Sequence, residues 1–433
     1  MPGEDFPHKG TWLQWPHNDL YGPFYQDDVT PTFVGMVAAL QLGEEVYIIA
    51  KNQTHQNQIE AALTNASVPL TNITFYHYPT DDVWVRDNGP IFVFDDNDEL
   101  RILDWGFNGW GNDAPYYLCD SIPGLISNEL QIPSLDLSAM VLEGGAIEHD
   151  GQGTIMATRS SVTHSSRNPN LTEQQIEAYL AQYMGFTKFI WLDGVYGTEI
   201  TDMHIDGFVK FANDSTIVTM SGSDLTYWQV PMADQAELFN ASNANNEAYN
   251  FVTVPLTQNN VTTAYGNNLG YKGSYCNYYI GNDVVIVPTY NDPNDSLAMG
   301  IIQNVHPNRT VVGVDVRNIY EYGGMIHCLT QQQPLDPALV GLNENLEGDE
   351  IAFEISPNPT SGVLNIEFAE AYSGEISVSI FQLNGQEVLH ENLTLNTAKS
   401  TSLNLRNVAD GVYLFQIAWN GKQSKLHKMV IHQ

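Results

Sequence analysis

A change of texture near residue 346 divides this 433-residue chain, because the two sides carry different periodicities. Before it, strand-like runs alternate with helix-like ones. Glu45 to Ala50, Ile91 to Phe94, Ile155 to Ala157, Ile217 to Met220 and Asp283 to Pro288 read as strands. Leu171 to Met184 and Gln56 to Leu63 read as helices, with Thr172 as an N-cap ahead of Glu173 and Gln174. The alternation predicts an α/β domain over residues 1–345. No strict repeat of residue identity is visible in it. After Glu347-Gly348-Asp349-Glu350 come short alternating runs at Gly362 to Phe368, Glu375 to Gln382, Thr401 to Leu405 and Val412 to Trp419. Pro357-Asn358-Pro359, Asn384-Gly385, Ala409-Asp410-Gly411 and Asn420-Gly421 punctuate them as turns. That pattern predicts a small antiparallel, immunoglobulin-like β-sandwich over residues 351–433.

Charge narrows the partners. Sixteen Lys and Arg stand against 51 Asp and Glu, a formal net charge of −35. Phosphate binding needs clustered cations, so nucleic acid is excluded as a partner, and an anionic membrane surface with it. A solvated acidic surface explains most of the charge, and a cationic small substrate fits the remainder. No run reaches the length of a membrane-spanning helix, and Met1-Pro2-Gly3-Glu4-Asp5 has no signal-peptide character. Cys119, Cys276 and Cys328 are too few and too far apart for a disulfide framework or a zinc cluster.

Four short constellations carry candidate chemistry: Asp82 to Pro90, Glu143-Gly144-Gly145, Asp202 to Gly207, and Gly323-Gly324-Met325-Ile326-His327-Cys328. On an extended segment, residues two apart share a face, which would aim Asp202, His204 and Asp206 into one cavity. Polar residues on an exposed strand account for that motif equally well. Cys328 follows two glycines that permit a sharp turn and close approach to a ligand. A lone cysteine is more often a buried structural residue than a nucleophile, so this motif alone is weak. Together the four describe a thiol, an imidazole, several carboxylates and the aromatic Trp84, a set suited to a planar cation. Carboxylates pair with guanidinium through parallel hydrogen bonds, and an aromatic face adds cation–π attraction. A Cys-His protease does not explain so many acids beside a thiol, because they oppose its ionisation.

These residues resemble the agmatine deiminase family of the guanidino-group-modifying (pentein) superfamily, through most of residues 2 to 334. The resemblance runs through Pro2-Gly3-Glu4, Thr11 to His17, Trp84-Val85-Arg86-Asp87, Asp104 to Gly111, Leu142-Glu143-Gly144-Gly145, Ser274 to Tyr279 and Gly324 to Gln332. It implies a five-bladed α/β propeller of ββαβ units. It implies Cys328 as the nucleophile forming an amidino-thioether, His204 as general acid and base, and Asp87 and Asp206 as the guanidinium clamp. Trp84 would wall the substrate pocket, with Gly324 and Met325 beside it. Glu143 and Asp202 would line the pocket or orient its groups, and Arg86 would be a structural ion-pair partner. Met325 departs from the family, where a smaller or polar residue such as Asn is expected. Such chemistry implies neither metal nor organic cofactor.

The tail resembles the C-terminal sorting domain of the type IX secretion system of Bacteroidetes, through Ser356 to Gly362, Leu383-Asn384-Gly385, Gly411-Val412-Tyr413 and Lys428 to Ile431. This implies the secretion machinery as a partner and a secreted or outer-membrane-surface location. An ordinary accessory sandwich is the alternative. The favoured reaction is hydrolysis of agmatine to N-carbamoylputrescine and ammonia. A secreted peptidylarginine deiminase is the second reading, and a guanidine-binding protein without turnover the third. The first 350 residues hold only 11 Lys and Arg, and Arg86 alone sits in a motif, which favours an amine over a carboxylate on the far end of the substrate.

Overall fold

The computed structural model describes residues 1–337, 353–382, 387–419, 422–424 and 427–432. The boundary near residue 346 and the Asn384-Gly385 and Asn420-Gly421 turns lie outside the described residues. The chain divides into two compact units, Met1–Pro334 and Leu335–Gln433.

Five separate sheets make up the described first unit, and one pattern runs through them. Ile91–Phe94 pairs antiparallel with Leu100–Gly106, which pairs parallel with Ser134–Val141 across the helix Ile122–Leu130. Ile147–His149, Thr154–Thr158 and Lys188–Leu192 repeat this order around the helix Glu173–Met184. So do Val209–Phe211, Thr216–Met220 and Asn250–Val254, and then Tyr279–Ile280, Val284–Thr289 and Thr310–Asp315. A parallel neighbour needs a crossover, and a helix packed on the sheet supplies it. The remaining sheet joins both ends of the unit. Gln331–Pro334 pairs antiparallel with His8–Gln14, which continues in parallel to Glu45–Ala50 and Ile73–His77.

Local sequence explains the elements. Glu45–Ala50 and Val284–Thr289 are continuous apolar runs because both of their faces are covered. Thr172 caps Glu173–Met184 through a reciprocal capping box with Gln175, and Gly185 ends the helix at φ 80°. The helix expected at 56–63 extends over Gln53–Asn65, starting from the Asn52 side-chain cap. Among the described residues no helix is long and apolar enough to cross a membrane.

One position recurs in every sheet. The chain makes a short turn just before the strand that opens the antiparallel pair. Val85–Asn88 precedes Ile91, Gly144–Ala146 precedes Ile147, Ile205–Gly207 precedes Val209, Asn277 precedes Tyr279, and His327–Leu329 precedes Gln331. All four sequence constellations fall at these turns. The strand expected across 202–206 is absent: Asp202 and Met203 take φ of 59° and 67°, and 205–207 is a single tight turn.

Among the described residues, the second unit is one six-stranded sheet built on antiparallel pairs. The strands expected at 362–368 and 375–382 are two halves of one long strand, Val363–Gln382, whose register shifts between Glu367 and Gly374. Its first half pairs with Phe353–Ser356 and its second with Gly411–Trp419. Leu364, Ile366 and Phe368, then Ile376, Val378 and Ile380, alternate into a single buried cluster.

Candidate functional site

Gly145 is the meeting point of three turns. A Cβ placed there would lie 2.7 Å from Asp87 Oδ1, 2.8 Å from His204 Nδ1 and 3.1 Å from Asp206 Oδ2. Its backbone N–H donates to Asp87 Oδ1 at 3.0 Å, and the Trp110 indole donates to Asp87 Oδ2 at 2.9 Å. Burial, reinforced by Asp206 and Glu143 and opposed by His204, raises Asp87 to about 6.

Cys328 reaches the same place from the turn before Gln331. Its Sγ lies 3.7 Å from Asp206 Oδ2. Asn277 accepts the His327 backbone N–H on Oδ1 at 2.9 Å, which leaves Nδ2 to face the sulfur at 3.3 Å. Burial, and then the charges of Asp206 and Asp87, push the thiol well above its usual range, while the Asn277 amide pulls the other way. The site alone does not favour a thiolate.

His204 stands between acids. Its Nε2 lies 2.8 Å from Glu143 Oε2 and its Nδ1 3.7 Å from Asp87 Oδ1. Burial opposes its charge, but Asp87, Glu143 and Asp206 outweigh burial and raise the imidazole to about 9. Glu143 is anchored in turn by Arg167, whose Nε donates to Oε1 at 2.7 Å. Asp206 is held by His327 Nδ1 at 2.8 Å. Burial works against its ionisation, yet His327, His204 and Arg86 keep its pKa below the usual carboxylate range. The far side of His327 meets Glu4 Oε2 at 2.7 Å, and Glu4 also binds Lys210 at 2.8 Å and Arg86 at 3.3 Å.

A cavity of about 870 Å³ opens onto this cluster. His204, Asp206, Asn277, Met325 and Cys328 line it, together with Tyr21, Tyr227, Trp228, Tyr271, Tyr320 and Tyr322. Glu199, Glu321 and Lys272 are further charged residues on its wall.

The structure thus brings Cys328, His204, Asp87 and Asp206 together and places Glu143 behind His204. Gly324 lies against Trp84, so closely that a Cβ would be 2.3 Å from the ring. Trp84 therefore supports the loop that carries Cys328 and is not among the residues lining the cavity. Asp202 pairs with Arg167 at 2.6 Å and touches none of the central groups. Met325 is buried on the cavity wall. Arg86 pairs with Glu4 and not with its neighbour Asp87. Sequence reasoning gave no role to Asn277, His327, Glu4, Arg167 or Lys272. Asn277 and Glu4 lie in quoted motifs and were within reach, whereas Arg167 and Lys272 had no signal. Lys272 also removes the argument that the pocket has no cation for a carboxylate.

Residues 1–334 match the family described as Porphyromonas-type peptidyl-arginine deiminase, and residues 354–432 match the secretion system C-terminal sorting domain. An agmatine deiminase of Pseudomonas syringae is 31% identical, over 77% of this chain and 95% of that protein. The solved agmatine deiminase of Enterococcus faecalis is 29% identical with a TM-score of 0.67, covering 77% of this chain and 95% of that one. A Porphyromonas gingivalis structure described as a candidate arginine deiminase is 28% identical with a TM-score of 0.67, over 77% and 97% of the two chains.

Proposed function

This chain belongs to the Porphyromonas-type peptidyl-arginine deiminase family, and from that premise we propose that it hydrolyses a guanidinium to a ureido group and ammonia at Cys328. The observation that carries the reading is the convergence of Cys328, His204, Asp87 and Asp206 from three turns, His204 and Asp206 sharing one, beside Gly145. The five repeated sheets, closed by the pairing of Gln331–Pro334 with His8–Gln14, support a five-bladed propeller with these turns at its centre. The long strand Val363–Gln382 keeps Glu387–Asn404 as a partner along both halves and exchanges Phe353–Ser356 for Gly411–Trp419 between them, an exchange that supports an immunoglobulin-like sandwich for the tail.

Asp87 and Asp206 receive the guanidinium. Its positive charge offsets the two carboxylates that hold the Cys328 proton, so substrate binding itself favours release of that proton to solvent, where the ammonia formed later takes one up, and leaves the thiolate. Sulfur attacks the central carbon and gives a neutral tetrahedral adduct. His204, charged at neutral pH, donates a proton to one amino group. The C–N bond breaks, ammonia leaves, and a cationic amidino-thioether remains. The neutral imidazole then takes a proton from water as its oxygen adds to the same carbon. The hydroxyl proton passes to the departing sulfur as the C–S bond breaks, which releases the ureido product and returns Cys328 as the thiol.

Agmatine is the favoured substrate, as the relatives named for it share most of this chain. The second reading is a peptide-borne or free arginine. Lys272 on the cavity wall favours it, as does a volume of about 870 Å³, far more than a single guanidino-alkyl amine fills. The C-terminal sorting domain marks a secreted or cell-surface protein, and its location would be the outer surface of a Bacteroidetes cell after type IX export. The parent chain and Cys328→Ala are compared on agmatine, arginine and arginyl peptides at equal concentrations. Ureido product and ammonia from the parent alone support the proposal. No product from the parent on any of them rejects it in favour of a binding protein.

A further inference from the structure

Arg167 lies outside every motif, yet it is only 3% exposed and its guanidinium touches two supports of one side chain. Nε donates to Glu143 Oε1 at 2.7 Å, and the other oxygen of that carboxylate meets His204 Nε2 at 2.8 Å. Nη1 donates to Asp202 Oδ2 at 2.6 Å, and Nη2 to the Thr201 carbonyl at 3.4 Å. Asp202 and Met203 immediately precede His204 and both sit at positive φ, a conformation that residues with side chains keep only when their surroundings hold it. The second Asp202 oxygen accepts the Gly197 N–H at 2.7 Å, so the turn is tied on both sides.

We propose that Arg167 is a positioning residue for His204: one guanidinium fixes both the carboxylate that grips the imidazole and the strained turn that presents it. This rests on His204 as the acid-base group of the proposed deimination. The fork of a guanidinium suits the task, because it holds two carboxylates at once in fixed directions, which an ammonium does not. Its charge matters as well. His204 faces the carboxylates of Asp87, Glu143 and Asp206, and Arg167 is a cation bonded to Glu143 on its other oxygen. Without it, Glu143 would hold the imidazolium proton more tightly. The first half of the reaction, which needs the acid, would survive better than the second, which needs the base. The amidino-thioether on Cys328 would then accumulate.

The test compares Arg167→Gln and Arg167→Lys with the full parent chain. The His204 imidazole titration is read by NMR without substrate, and kcat, KM and the mass of trapped enzyme are read with it. In Arg167→Gln the titration should move up by about one pH unit. In Arg167→Lys, which keeps the charge and loses the fork, kcat should fall about tenfold or more with KM within about twofold. Adduct mass on Cys328 should rise in Arg167→Gln, which alone loses the charge. Titration and turnover like the parent in both variants overturn the proposal, as does a fall in activity fully matched by loss of folded protein on melting. If Arg167→Gln does not fold, Arg167→Lys decides alone. A parent inactive on every guanidine sinks the deimination reading, and the substrate-free titration still judges Arg167.

Discussion

The backbone N–H of Gly145 donates to Asp87 Oδ1 at 3.0 Å, and the space above that glycine is where the carboxylates of Asp87 and Asp206 and the imidazole of His204 converge. A methyl group at residue 145 would meet all three at 3.1 Å or less. Gly145→Ala should therefore cut kcat/KM by about a hundredfold or more, since a displacement of the order of an ångström misaligns several groups at once. Steady-state kinetics beside a thermal melt checks this, and activity near that of the parent would show the cluster to be more yielding than its packing implies.

In the proposed reaction two titrations would bracket the active pH range. Asp87 would have to be ionised to bind a guanidinium and is raised to about 6, while His204 would have to be charged to act as the acid and is raised to about 9. The kcat/KM profile should therefore rise through about pH 6 and fall through about pH 9. Glu143→Gln removes one of the acids that raise His204, so its alkaline limb should move to lower pH. The same sign applies to stability. A folded-state pKa raised to about 9 gives His204 a contribution that is full below its unfolded value near 6.5 and lost as pH rises through 9.

The chemistry was legible in the sequence further than its geometry. Cys328, His204, Asp87 and Asp206 each stand beside glycines or an aromatic in short motifs, and residue type named their capacities. The repeat that assembles them was hidden, because equivalent turns carry different residues. Asp87, Glu143, Asp206, Asn277 and Cys328 occupy matching places, each with its own chemical character. Period-two reasoning holds for 202–206 only in its outcome for His204 and Asp206, which do line one cavity; Asp202 turns away, because Arg167 and Glu199 hold a turn that propensity alone disfavours. Lys272 reaches the cavity by tertiary folding, and no neighbour in sequence betrays it.

Glu4 links the N-terminal arm to the nucleophile turn through His327, and it is buried with Lys210 and Arg86 on the same carboxylate. Burial opposes its ionisation, but Lys210, His327 and Arg86 outweigh that and hold its pKa well below the usual range. A depressed acid stabilises the fold above its unfolded pKa of roughly 4.3 and loses that contribution as pH falls through its folded value. Glu4→Gln should destabilise the first unit at pH 7 by about 3–5 kcal/mol, because it leaves buried cations without their partner. Urea unfolding at pH 7 and at pH 4 measures this, with a smaller gap between parent and variant at the lower pH.

Under the proposed function, Lys272 would bear on the choice between an amine and a carboxylate at the far end of the substrate. Its ammonium lies on the cavity wall, 5.4 Å from the centre of the Tyr227 ring, and its backbone is fixed by the hydroxyls of Tyr227 and Tyr320. A distal ammonium on the substrate would be repelled there, while a carboxylate would be attracted, by a margin that an effective dielectric near 20 keeps to a few kcal/mol at most. Glu199 and Glu321 share the wall and temper the effect, although Glu199 already accepts from the Thr201 and Met203 backbone and Glu321 from Tyr265 and Asn267. Lys272→Met should accordingly raise kcat/KM for agmatine and lower it for arginine bearing a free carboxylate, changing their ratio by about tenfold or more. The readout is that ratio at low and at high salt, with the difference shrinking at high salt because partly exposed charges are screened. A ratio unmoved by the substitution would place the distal recognition elsewhere on the wall, at Glu199 or Glu321.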